Sequence, residues 1–205
     1  MQDLVVLVAD KNMQFALKGA LGRTQALGIR PLTHEFRTHM GRDGGVRATG
    51  VDVLARESNR FRHALMVFDF EGCGQDHDDL LTLEAELDRQ LRTVWDTRAK
   101  AIIIFPEVDI WLWGTDVALR DALHWPLEGP VRNWLLEKGF EFNADNKPLR
   151  PKEALDAMRS VHKQPRSSAL YEKITGRISL LHCTDPAFGR LRAQLELWFG
   201  NKKVD

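Results

Sequence analysis

The stretch Ala64-Leu-Met-Val-Phe-Asp-Phe-Glu-Gly-Cys-Gly74 ends an apolar run in two carboxylates, Asp69 and Glu71. Alternate residues of an extended chain point to one side, so the two acids are expected to project together from a strand end. Carboxylates held that close repel unless a positive group stands between them. The pattern recurs twice. Leu4-Val-Val-Leu-Val8 is followed by Ala9, Asp10 and Lys11, and Ala101-Ile-Ile-Ile-Phe105 by Pro106, Glu107, Val108 and Asp109. If the three runs are parallel strands, their acidic ends share one edge. Oxygen ligands from Asp10, Asp69, Glu71, Glu107 and Asp109 suit Mg²⁺ or Mn²⁺, which a few carboxylates hold together with water and substrate phosphates. Such an ion would polarise a phosphate and activate water, while Lys11 would stabilise charge on the phosphoryl oxygens. Each acid also has a plainer local reading. Asp10 suits the N-cap of a helix, and Glu107 or Asp109 the first turn of another.

The elements that must position these acids can be read from periodicity. The three continuous apolar runs are expected as central parallel strands, buried on both faces. Arg30 to His39 reads as a weaker strand, with Leu32, His34 and Phe36 on one side. Asn12 to Leu21 and Leu80 to Trp95 carry apolar residues at helical spacing, and Val51 to Phe61 reads as a further helix. The order β-α-β-α-β-α-β predicts an α/β fold: a small, mostly parallel sheet of about four strands flanked by helices. Beyond residue 106 the pattern turns helical, over Asp109 to Leu123, Pro130 to Lys138, Pro151 to Val161 and Pro186 to Phe199. Three of these begin with proline, a favoured first helical residue, and Thr184-Asp185-Pro186 is the strongest cap signal. The expected division is an α/β core over residues 1–115, with a helical extension over 116–205 packed on it as one compact domain.

Composition limits the function classes. Of 205 residues, 43% are hydrophobic and 28% charged, as in ordinary globular proteins. No apolar stretch has the length of a membrane-spanning helix, and no basic leader precedes the first strand, so the cytoplasm is the expected location. The zero net charge covers an asymmetry: residues 1–129 hold 15 Lys and Arg against 20 Asp and Glu, and the remainder 14 against 9. In the second part Arg150, Lys152, Lys163, Arg166, Lys173 and Arg177 could meet a nucleic-acid backbone beside the acidic edge. A solvated helical face or a surface for a protein partner explains the same residues.

Other motifs say less. Gly72-Cys73-Gly74 permits a sharp turn but lacks the later glycine of a dinucleotide fingerprint. Cys73 with His77 is half a zinc site at most, and neither Cys73 nor Cys183 suggests a disulfide framework. Trp111 and Trp113 read mainly as core or interface packing. Gly41-Arg-Asp-Gly-Gly-Val-Arg47 reads as a flexible basic connector between a strand and a helix.

On the pair Asp69-Phe-Glu71, on Asp10 in the run Val6-Leu-Val-Ala-Asp10 and on Phe105-Pro-Glu-Val-Asp-Ile-Trp-Leu112, the chain resembles the TOPRIM domain of topoisomerases, primases and nucleases of the overcoming-lysogenization-defect type. The last of these phrases is similar to the acid-x-tryptophan-leucine signature of small TOPRIM-like proteins of bacterial defence islands. More narrowly, those stretches and Arg150-Pro-Lys-Glu-Ala-Leu-Asp-Ala-Met158, with Cys183 to Phe199, resemble the TOPRIM-like subunit of methylation-associated phage-defence systems. The resemblance implies a metal-dependent phosphodiester-cleaving component, working with other proteins of the same system and on DNA or RNA. Two positions depart from the family pattern: Asp10 stands where a glutamate is expected, and Glu71 where an aspartate is. An inactive TOPRIM-like subunit that binds a partner protein or nucleic acid is the alternative. A small-molecule-binding domain of the flavodoxin kind would use the same strand edge.

Overall fold

The computed structural model describes residues 1–74, 79–161, 163–165 and 167–201. Four strands form one sheet: β1 (Gln2–Val8), β2 (His34–Thr38), β3 (Phe61–Asp69) and β4 (Ala99–Ile104). All pairs are parallel, in the order β2-β1-β3-β4. The apolar runs of β1 and β3 form the two central strands, with side chains such as Val5 and Leu65 fully buried, as burial on both faces requires. The run of β4, expected as a third central strand, is instead an edge strand. Its Ile103 is fully buried because the helices Leu80–Trp95 and Pro186–Phe199 pack on β4.

Helices α1 (Lys11–Leu21), α2 (Arg42–Ala55) and α3 (Leu80–Trp95) make the crossovers. The helix expected over Val51 to Phe61 instead begins at Arg42 and ends at Ala55, and the expected glycine-rich connector is its first turns. Glycine lowers helix propensity, yet packing favours it here. A Cβ on Gly45 would stand 2.3 Å from the His39 ring, so any other residue there would displace that ring from its bonds to Thr49 and the Gly41 N–H. Phe61, expected at the end of that helix, opens β3.

The second half wraps this sheet. A 3₁₀ segment (Val108–Gly114) leads to α4 (Asp116–Leu123), α5 (Val131–Glu137), α6 (Pro151–Val161), α7 (Ser168–Thr175) and α8 (Pro186–Phe199). The single helix expected over Asp109 to Leu123 is thus two pieces. Trp113 departs from helical geometry, and its indole N–H reaches the Pro151 carbonyl at 3.3 Å. Pro151 and Pro186 are first helical residues, whereas Pro130 is the residue before α5.

α7 packs along α1 and α8 against β4. One continuous apolar cluster runs from β1 through Trp111 to Phe188, Leu191, Leu195 and Phe199 of α8. Asp185 starts α8 by accepting the Phe188 N–H at 2.9 Å, and it also accepts the buried indole N–H of Trp111 at 2.8 Å. This cap therefore joins the second half of the chain to the end of β4. None of the described helices is long and apolar enough to cross a membrane.

Candidate functional site

β1 and β3 are neighbours, and the chain leaves them in opposite directions, β1 toward β2 and β3 toward β4. Ligands enter open α/β sheets at such a reversal, beyond the carboxyl ends of the strands. The register matches Val8 with Val67, so Asp10 and Asp69 each stand two residues past a matched pair. The expectation that they share one edge holds.

Asp10 does what a residue between strand and helix can do. Its Oδ1 accepts the Met13 N–H at 2.9 Å and caps α1. The next residue, Lys11, is exposed as the first residue of α1. Asp69 closes β3. Its own N–H donates to Oδ1 of Asp43 at 2.8 Å, and its Oδ1 accepts the Val108 N–H at 2.8 Å. The residue keeps some solvent exposure, but protein atoms crowd its carboxylate. Burial first, then the charges of Asp43, Asp109 and Glu107, push its pKa well above the ordinary carboxylate range.

Glu71 is not its twin. The strand ends at Asp69, so the alternation that would align the pair stops there. Gly72 adopts φ +89°, the chain turns, and Glu71 is exposed. Its charge is felt at Glu107. Arg47 of α2 pins the turn through the carbonyls of Cys73 and Gly74. Cys73 is buried and His77 lies outside the described residues.

The third acidic feature joins the edge from the β4 side. Glu107 and Asp109 are both buried. Asp109 accepts the hydroxyl of Tyr171, on α7, at 2.7 Å. Burial, and then that nearby carboxylate, push the Tyr171 pKa far up, so it remains a donor. Glu107 accepts from Nζ of Lys152, in the first turn of α6, at 3.0 Å. Burial raises the pKa of both acids. For Glu107 the charge of Asp109 adds to that rise and Lys152 opposes it; for Asp109 the Tyr171 hydrogen bond and Lys152 oppose it. Burial works against the charged form of Lys152, but the hydrogen bond to Glu107 and the charges of Glu107, Asp109 and Asp69 outweigh it. The positive group among these carboxylates is an ammonium of the protein's own.

No family model, curated protein or solved structure shows a significant match to the chain.

Asp10, Asp43, Asp69, Glu107 and Asp109 thus act on one another at the sheet reversal, while Glu71 stands at the rim. Among the described residues no three His, Cys, Asp or Glu side chains are already gathered to hold one ion. In each of the five inner acids one oxygen is engaged by a named protein donor. Such bonds orient a carboxylate for a cation approaching its other oxygen. The sequence reading missed Asp43, which sits in the first turn of α2 after β2 as Asp10 sits after β1. It named Lys152 only as one of several basic residues and gave Tyr171 no part in the acidic edge. Arg166 lies outside the described residues. Lys173 and Arg177 face α4, at the Ala122 carbonyl and Asp121, and so do not border the acidic edge.

Proposed function

We propose that the chain is a TOPRIM-like component of bacterial anti-phage defence that uses Mg²⁺ or Mn²⁺ at its acidic edge for phosphodiester cleavage. The observation that carries this reading is the charge imbalance at the β1/β3 reversal. Five carboxylates meet there with one ammonium, and Asp43, Asp69, Glu107 and Asp109 all bind their protons more tightly than exposed acids do. A divalent cation relieves the repulsion that protonation otherwise relieves. Asp69 and Asp109, with Asp10, would hold the ion, and the exposed Glu71 would meet it from the solvent side. The ion's chemistry is polarisation of a phosphate and activation of water. The resemblance to defence-island TOPRIM proteins supports DNA or RNA as substrate and other proteins of the system as partners.

One observation favours the second reading, a non-catalytic subunit that binds a partner. Lys152 already neutralises Glu107, as a structural cation would. The two readings separate on Mn²⁺ added to the purified protein with supercoiled plasmid and single-stranded RNA. Cleavage of either that requires Mn²⁺ and disappears in Asp109→Asn is the expected result. Failure of Mn²⁺ both to raise the melting temperature and to support cleavage would leave the partner-binding reading standing.

A further inference from the structure

A cavity of about 580 Å³ opens between β4, α3 and α8 and reaches Pro106 and Glu71, at the rim of the acidic edge. Its size lies within the range of small-molecule sites, roughly 300–1,000 Å³. Leu80, Leu81, Phe105, Ile110 and Leu149 give it an apolar wall. Leu81, Phe105 and Leu149 are 56%, 59% and 51% exposed, an apolar surface that folding alone does not explain.

A second observation concerns Lys147, which also lines this cavity. The turn from Asn143 holds it from both sides. Oδ1 of Asn143 accepts the Lys147 N–H at 2.9 Å, and the Asn143 N–H donates to the Lys147 carbonyl at 2.9 Å. The residue is only 4% exposed, and its Nζ has no hydrogen-bond partner among the described residues. The other lining cation, Arg190, is engaged by both oxygens of Glu84. The lining acids are Glu71, Asp145 and Asp185, of which Asp185 is engaged by the Trp111 indole and Phe188 N–H groups. A buried ammonium without partners is costly, and proteins seldom keep one unless something compensates it.

We propose that this cavity binds a small amphipathic molecule with one anionic group, carboxylate, sulfonate or phosphate. The anionic group pairs with Lys147 and the apolar body lies against Leu81, Phe105 and Leu149. Its lining shares the exposed Glu71 with the acidic edge and none of the five inner acids. Two fluorescent probes of like shape test it: the anionic anilinonaphthalenesulfonate and its uncharged relative phenylnaphthylamine. The intact protein is expected to bind the sulfonate at one site per chain and more tightly than the neutral probe. Lys147→Met is expected to weaken the sulfonate about tenfold, the worth of one charge-assisted hydrogen bond, and to leave the neutral probe unchanged. Leu81→Glu, at the exposed wall, keeps Lys147 and is expected to weaken both probes, which covers the case of a Lys147→Met chain that does not fold. Equal binding of the two probes by the intact protein, unchanged sulfonate affinity in Lys147→Met, or no single-site binding would each overturn the proposal.

Discussion

Two buried carboxylates flank β4 and live under opposite conditions. Glu84 of α3 is held by Nε and Nη2 of Arg190 at 2.9 and 3.0 Å, by the Ile103 N–H at 3.0 Å, and by Lys100 at 3.6 Å. Arg190 also donates to the Ile103 carbonyl at 3.1 Å. Asp88, one helical turn on, accepts the Ala101 N–H at 2.8 Å and pairs with Lys100. The outward backbone groups of the edge strand are thus capped by side chains, which blocks pairing with another sheet. Asp69, at the strand end, has a backbone N–H and several anions for company. One acid joins three elements; the other has surroundings that work against its charge. Crowded, under-compensated carboxylates mark functional sites more often than structural ones.

The sharpest way to break the comparison is at its satisfied end. Arg190→Met leaves Glu84 buried with only Lys100 and one N–H, and loss of one member of a buried pair is strongly destabilising. A loss of about 3 kcal/mol in urea unfolding is expected. A loss under about 1 kcal/mol would show that Lys100 alone suffices and that the α3–β4–α8 staple is weak.

At the other end removal should help. The native pKa of Asp69 lies above its unfolded value, so between the two the native state binds more protons. Stability from this group therefore falls as pH rises from the ordinary carboxylate range through the raised native value. Asp69→Asn keeps an oxygen for the Val108 N–H and removes the charge. In metal-free buffer it is expected to be about 1 kcal/mol more stable than the parent at neutral pH. The difference should vanish in acid below the ordinary carboxylate range. Equal stability at all pH values would mean that Asp69 is not under repulsion.

These expectations depend on what the sequence made legible. The strands were plain, because residues such as Val6, Met66 and Ile102 must be apolar on both faces, and the reversal that brings Asp10 to Asp69 follows from their order. Burial of Trp111 and of the α8 face was also readable, from residue type and spacing. The start of α2 was hidden because propensity argues against Gly44 and Gly45 in a helix, while the close approach to His39 that favours glycine is tertiary. Pairing Glu71 with Asp69 assumes that the strand continues, whereas it ends at Asp69 and the chain turns at Gly72. Lys152 and Tyr171 come from helices far along the chain. Nothing in their local sequence says that they arrive at Glu107 and Asp109.

Lys152 offers the finest cut, since it is the one feature that makes the acidic edge resemble the Glu84 staple. Its side chain is 49% exposed, so solvent screens the pair with Glu107, and Lys152→Met should cost only about 0.5 kcal/mol in stability. Its effect on cations should be larger than that on folding. With the ammonium gone, Glu107 loses the group that opposes its rise in pKa and Asp109 keeps only the Tyr171 hydrogen bond against its own, and repulsion at the edge grows. A divalent ion then meets more negative charge and no competing cation. Mn²⁺ affinity, read by calorimetry, is expected to rise about tenfold, a modest fraction of the Coulomb energy of removing one nearby positive charge at intermediate dielectric. Raising the salt concentration should shrink the gain, because the mouth of the site is open to solvent. An affinity that does not change places Lys152 beyond the reach of any bound ion. In that case the ammonium neutralises the edge permanently, and the acids position helix α6 much as Glu84 positions α8.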